Sequence, residues 1–407
     1  MVPEGWKKGV VEDIAEVSSG GTPSRKNDSY WLNGQIPWVT TAEVKFGVIT
    51  STEQKITEDG LKNSSAKLFP KDTVLIAMYG QGKTRGQVAK LGIEASTNQA
   101  CAALQVNDGF EVDYYYQYLV SQYENIRDLA NSGGQQNLSA AIIKGIHVPI
   151  PPLKEQKKIA QILSTWDKAI TTTEQLLANS QHRKKALMQQ LLTGKKRLLD
   201  ENGVRFSGEW KTAHLGDICT VNPKKATEPE GSQVSFVGMD SVSEEARLIY
   251  TTTKHYNEVS KGFTSFKNGD VLVAKITPCF ENGKGAYVYG LVNGIGFGST
   301  EFHVLRATER SNSKYLYYLT NTAEFRIRGE ANMQGSAGQK RVSTDYLKTF
   351  KVKIPPSVKE QAKVAELLWQ VDKELSILEI KLEKLQQEKK ALMQQLLTGK
   401  RRVKIES

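Results

Sequence analysis

Apolar residues recur along the last part of the chain in alternating steps of four and three: Val364, Leu368, Val371, Leu375, Leu378, Leu382, Leu385, Lys389, Leu392, Leu396. Nine of these ten positions are apolar, which is the stripe of an amphipathic helix that packs lengthwise on another. Moving back 205 residues gives Ile159, Leu163, Trp166, Ile170, Thr173, Leu177, Ser180, Lys184, Leu187 and Leu191, the same stripe with polar interruptions. Both patterns begin just after a proline pair, Pro151-Pro152 and Pro355-Pro356, and stop at Thr193-Gly194 and Thr398-Gly399. Glycine suits the left-handed residue that ends a helix. Two helices of about 40 residues, roughly 60 Å long, are therefore predicted. Elsewhere, short apolar runs at residues 73–79 and 270–276 predict strands. Tyr114, Tyr115, Tyr116 and Tyr118, with residues 315–319, predict helices packed on their own sheets rather than base-stacking platforms.

The two long helices are part of a larger repeat. Residues 184–195 read KKALMQQLLTGK and residues 389–400 repeat them without change. Lys154-Glu155-Gln156 returns as Lys359-Glu360-Gln361, and Asp167 as Asp372. Trp6, Asp13 and Ile14 meet Trp210, Asp217 and Ile218, and residues 132–139 meet 336–343. The stretches before the proline pairs match only in places: Phe69 with Phe266, Val74 with Val271, Ala77 with Ala274, Ser96-Thr97 with Ser299-Thr300, and Tyr118-Leu119 with Tyr318-Leu319. Nearly identical helices beside divergent remainders imply one fold carrying two different surfaces.

A chain of 407 residues has room for several domains. Lys and Arg outnumber Asp and Glu by 55 to 44, and the net charge of +11 favours a polyanionic partner, nucleic acid first. No apolar run reaches the roughly 18 residues of a bilayer span, and with no apolar stretch behind the charges of the first residues no signal peptide is expected. Cys101, Cys219 and Cys279 form no CxxC pair, so no disulfide framework is expected and a reducing, cytoplasmic location is.

Catalytic signatures are missing. Gly80-Gln81-Gly82-Lys83-Thr84 ends like a phosphate loop, but Ala77 stands where that loop needs its first glycine. Gly294-Ile295-Gly296-Phe297-Gly298 lacks the strand-turn-helix context of a dinucleotide site and has no equivalent in the other half. The residues around each Pro-Pro pair do not form the Asp/Asn-Pro-Pro-Tyr of an adenine methyltransferase. The five histidines have no metal-ligand spacing, so no metal is expected.

What remains is a set of polar, basic, glycine-rich loops at similar places in both halves. The first half offers Thr22, Ser24, Arg25 and Lys26, then Lys83 and Arg85, then Gln135, Gln136 and Asn137. The second offers Lys224 and Lys225, Lys275 and Lys284, and Gln339, Lys340 and Arg341. Gln and Asn can grip adenine bidentately, Arg and Lys can grip guanine or phosphate, and glycine lets backbone approach a groove. These residues are the candidates for contact with double-stranded DNA. Met188, Gln189 and Gln190, repeated as Met393, Gln394 and Gln395, lie off the apolar stripe and are the candidates for contact with a partner subunit.

IPIPPLKEQKKIAQIL, KIPPSVKEQAKVAELL, the twin LMQQLLTGK helix ends, Trp6 and Trp210, and SGGTPSR followed by IPWVTTAEV together resemble the specificity subunit of type I restriction-modification systems. The resemblance covers essentially the full chain. It implies an α+β, pseudo-two-fold architecture of two strand-rich target-recognition domains separated by two long antiparallel coiled-coil helices. The expected division is residues 1–153 (first recognition domain), 154–194 (first helix), 195–358 (second recognition domain), 359–400 (second helix) and 401–407 (basic tail). It also implies a non-catalytic chain with no cofactor of its own. It would read an asymmetric bipartite site and direct two modification subunits, which use S-adenosylmethionine to methylate adenine, and restriction subunits, which use ATP. The second half lacks close counterparts of SGGTPSR and YGQGKTRG. The alternatives are a fused methyltransferase or NTPase with degenerate motifs, and a coiled-coil scaffold.

Overall fold

The structure is a computed structural model and describes residues 2–80, 83–130, 137–336 and 338–405. The chain forms two compact units, Met1–Glu174 with Ile380–Ser407 and Gln175–Glu379. The long helices run over Leu153–Leu191 and Val358–Leu396, so each contributes one part to each unit. Their ends follow the local chemistry. Both begin next to the proline pairs. Past their C-termini, Gly194 (φ +72°) and Gly399 (φ +70°) adopt the left-handed conformation, and a Cβ there would press on Trp210 and Pro3.

In the first unit, Ala15–Ser19, Cys101–Val106, Val74–Ala77, Val88–Leu91 and Val48–Ile49 form a five-stranded sheet in that order. A second sheet joins Gln54–Ile56, Ile36–Val39, Ala95–Thr97 and Leu68–Phe69. Lys7–Val10 pairs antiparallel with His147–Ile150, tying the chain start to the strand that leads into the first long helix. The core is built on Val74, Ile76, Tyr114, Tyr115, Ile159, Leu163 and Leu396.

The second unit repeats the plan. Cys219–Val221, Phe302–Ala307, Val271–Ala274 and Gly285–Tyr287 make one sheet. Thr252–His255, Gln233–Val237, Ile295–Gly298 and Thr264–Lys267 make the other. Lys211–His214 pairs with Lys351–Ile354. Tyr315 and Tyr318, both fully buried, do the packing expected of the tyrosine-rich helices.

Strand register sets which residues are equivalent. Cys101 opposes Ala77 as Phe302 opposes Ala274, and Leu104 opposes Val74 as Leu305 opposes Val271. The pairs Phe69/Phe266, Val74/Val271 and Ala77/Ala274 therefore hold. Two others shift. Thr97 lies beside Val39 as Gly298 lies beside Val237, so Ser96-Thr97 corresponds to Phe297-Gly298 and not to Ser299-Thr300. In the tyrosine helices Gln117 donates to Asp167 and Tyr318 to Asp372, which makes Tyr118 the counterpart of Leu319. Both sequence matches were local coincidences between segments joined by loops of unequal length.

Within each unit the long helices pack antiparallel, and the polar positions of the stripe are used. Lys389 Nζ meets Asp167 Oδ1 at 2.5 Å in one unit, and Lys184 Nζ meets Asp372 Oδ1 at 2.6 Å in the other. Buried Thr173 donates to the Ala169 carbonyl, and buried Ser180 donates to Glu374 Oε1 at 2.8 Å.

Each helix start is also clasped by an arginine. Glu155, 4% exposed, accepts from Trp6 Nε1 (3.1 Å) and from Arg402. Glu360, 1% exposed, accepts two bonds from Arg197, at 2.5 and 2.7 Å. The same framework is therefore locked twice by the same chemistry.

Candidate nucleic-acid interface

In the first unit the candidate loops converge at the end of Val74–Ala77. The Met78 amide donates to the Ala100 carbonyl (2.8 Å), and the Met78 carbonyl accepts from the Leu138 amide (3.1 Å). This sets the segment after Asn137 against the segment before Lys83. Gly86 closes that loop by donating to the Ala77 carbonyl, and Tyr123 Oη holds it by donating to the Lys83 carbonyl at 2.7 Å. The serine-glycine loop joins through Gln99, whose Oε1 accepts from Thr22 Oγ1 at 2.5 Å.

Glycines permit that approach. The Gly21 amide donates to the Thr97 carbonyl, and a Cβ on Gly20 would stand 1.9 Å from the same oxygen. The Gly21 carbonyl accepts from Trp38 Nε1. The Arg25 guanidinium lies 3.6 Å from the centroid of the Trp31 ring, which holds an exposed cation in a fixed plane. Ser24, Lys26, Lys83 and Asn137 are exposed, while Thr22 and Arg85 are half-buried. Gln135 and Gln136 lie outside the described residues.

The second unit gathers its loops at the equivalent end of Val271–Ala274. The Lys275 amide donates to the Glu301 carbonyl, the Thr277 amide to the Lys340 carbonyl, and the Val342 amide to the Lys275 carbonyl. Ala274 donates to the Lys284 carbonyl. Lys275, Lys284, Lys340 and Arg341 are thus brought together, with exposed Gln339 beside them.

Not all of these cations are equally available. Arg341 clamps Glu301 with bonds of 2.9 and 3.0 Å, and that contact holds the Glu301 carboxyl below the usual range. Lys225 Nζ donates to the Ser260 carbonyl, and Lys284 Nζ to the Met239 carbonyl. These three side chains shape the loops, whereas Lys224, Gln339 and Lys340 project outward.

Several residues of the edge were not among the candidates singled out from the sequence. Trp31 and exposed Tyr79 belong to it in the first unit, Glu301, Asn222 and His303 in the second. A tryptophan following a basic loop is a detectable cue for Trp31. The roles of Asn222 and His303 arise from strand register, which only the fold supplies.

The partner candidates divide. Met393 is buried among Ile159, Leu163 and Leu396, so internal packing accounts for it, whereas Met188 packs partly against the core of the second unit and also lines a groove there. Gln189, Gln190, Gln394 and Gln395 are exposed. Gln189 lines a groove of about 1060 Å³ in the second unit, together with Lys185, Phe350, Lys351 and Lys353. Among the described residues no His, Cys, Asp and Glu cluster could hold a metal ion, and no helix is long and apolar enough to cross a membrane.

Each unit carries the same strand framework and gathers its own divergent loops at the equivalent strand end. The family model for the type I restriction modification DNA specificity domain matches this chain twice, over residues 3–179 and 207–387, and the chain belongs to that family. Over 167 residues it is 36% identical to the type I restriction enzyme EcoEI specificity subunit of Escherichia coli, a match spanning 40% of this chain and 28% of that relative. To the type I restriction enzyme MjaVIII specificity subunit of Methanocaldococcus jannaschii it is 24% identical over 428 residues, spanning 99% and 94%. The crystal structure of a type-I restriction-modification system S subunit from M. genitalium shares the fold, with a TM-score of 0.62 and 15% identity over 97% of this chain and 96% of that one.

Proposed function

We propose that this chain is the non-catalytic DNA-recognition subunit of a type I restriction-modification complex and reads an asymmetric, bipartite target, one half-site per unit. The observation that carries this reading is the convergence of the variable loops on the same strand end in both units, over a framework that is otherwise duplicated. One framework presenting one edge explains a bipartite target, and different side chains on that edge explain its asymmetry. Thr22, Ser24, Arg25, Lys26, Lys83, Arg85, Gln135, Gln136 and Asn137 face the first half-site. Lys224, Lys275, Gln339 and Lys340 face the second, with Lys225, Lys284 and Arg341 holding the loop shape.

Adenine methylation and ATP-dependent restriction belong to partner subunits. Two modification subunits dock at the exposed glutamine pairs Gln189-Gln190 and Gln394-Gln395, which recur because the two sites are equivalent. Mapping adenine methylation across a host genome with and without this gene tests the assignment. One split, non-palindromic motif should vanish on deletion, and an unchanged methylome refutes it.

A further inference from the structure

At the recognition edge of the second unit a buried histidine is tied to an exposed asparagine in a polar knot with no counterpart in the first. His303 is 3% exposed. Its Nε2 lies 2.8 Å from the Val342 carbonyl, and since a carbonyl can only accept, Nε2 carries the proton. Its Nδ1 lies 3.2 Å from Asn222 Nδ2. The Asn222 amide is oriented independently, because its Oδ1 accepts from the Val304 amide at 3.0 Å, which leaves Nδ2 to donate to His303 and to Thr344 Oγ1. The imidazole is therefore neutral, with one ring nitrogen donating and the other accepting.

This knot joins two recognition loops. Val342 follows Arg341 directly and is held from both sides, its amide donating to the Lys275 carbonyl and its carbonyl accepting from His303. Asn222 opens the loop that carries Lys224 and Lys225 and sits at φ +54°, a left-handed conformation that its side-chain bonds offset. Strand register places Ala102 at the position of His303 and Ser18 at that of Asn222. Since the first unit builds the same sheet without them, the fold itself does not require this pair.

We propose that neutral His303 is a positioning residue that fixes the loop of Gln339, Lys340 and Arg341 relative to the loop of Lys224 and Lys225, and so sets the discrimination of the second half-site. The inference rests on the reading of this unit as a DNA reader. A second proton on Nδ1 would turn the acceptor facing Asn222 into a donor and break the link. The charged groups around the ring are Lys275 and Glu301, with Arg341 clamped on Glu301. Burial pushes the His303 pKa below its ordinary 6.5; Lys275 acts in the same direction, while the Val342 carbonyl and Glu301 oppose it. The link is thus complete above the ordinary histidine range and is lost as pH falls through the lowered value.

The test uses the full chain assembled with its modification subunits and measures binding to target variants, each with one base pair changed, from about pH 7.5 to about pH 5. In the unmodified complex, discrimination among second-half-site variants should fall about tenfold on acidification, while that among first-half-site variants stays level. His303→Gln keeps a donor for Val342 but offers nothing to titrate. It should start with the reduced discrimination and stay flat with pH. If His303→Gln follows the unmodified pH curve, or discriminates as well as the unmodified complex at neutral pH, the positioning role is wrong although DNA reading stands. Should the variant not fold, the pH series on the unmodified complex decides alone, and acid loss shared equally by both half-sites overturns the proposal. Sequence-independent binding by the unmodified complex at every pH would overturn the DNA-reading conclusion as well.

Discussion

Removing Arg197 should destabilise the second unit far more than a surface salt bridge would. Glu360 is 1% exposed, and the Arg197 side chain is 18% exposed. Arg197 gives Glu360 two bonds and also donates to the carbonyls of Gly208 (2.9 Å) and Ser207 (3.0 Å). Arg197→Met would leave a buried carboxylate without its cation, a change that costs about 3–5 kcal/mol. For a unit of this size that lowers the melting temperature by roughly 6–20 °C. The double variant Arg197→Leu/Glu360→Met removes both charges and should recover most of the loss, because an apolar pair can pack near Trp210, whose ring lies 5.9 Å from the guanidinium. Arg402→Met in the first unit is the internal control. There the arginine is 43% exposed and Trp6 continues to donate to Glu155, so the effect should be smaller. Calorimetry with hydrogen exchange read peptide by peptide separates the units. An Arg197→Met transition within about 2 °C of the unmodified chain, or a double variant as unstable as the single, would refute the reasoning.

Gly20→Ala places a Cβ 1.9 Å from the Thr97 carbonyl, and Gly296→Ala places one 2.1 Å from the Phe266 ring; each should cost about 1–3 kcal/mol in denaturant unfolding. Gly109→Ala, with φ +91° but open space around it, should show strain alone and a smaller loss. In salt titrations of the assembled complex, Lys83→Ala should weaken binding to all sequences and reduce the salt slope by about 1, as expected for loss of one phosphate contact. Gln339→Ala should instead relax one base position, at roughly 1–3 kcal/mol.

How much of this was legible in the sequence depends on which physical signal each feature leaves. The long helices left a strong one, because a stripe sustained over ten positions and bounded by Pro-Pro and Thr-Gly fits a long packed helix and little else. Lys184 and Lys389 showed as breaks in that stripe, but their reason is the carboxylates of Asp372 and Asp167 on the facing helix, which only packing reveals. Met393 misled for a related reason: a strict four-three stripe is narrower than the face a helix buries against a globular body, so an off-stripe residue can still be core. The candidate edge was partly visible as basic loops at matching places. Which of their cations point outward was not, because that depends on Glu301 and on the carbonyls of Ser260 and Met239. The copies diverge most where register matters. Lys90, paired with Asp113 in the first unit, is replaced at the equivalent strand position by Tyr287, which packs on Trp369.

The central claim, two independent readers on one duplicated frame, is tested most directly by exchanging one of them. Replacing residues 1–150 with a second copy of residues 205–354 keeps the single junction next to a Pro-Pro pair and leaves the arginine bonds Arg402–Glu155 and Arg197–Glu360 in place. Genome-wide mapping of adenine methylation in a host carrying this variant should then show a symmetric motif, with the former second half-site on both sides of the gap. Retention of the original asymmetric motif would contradict the account.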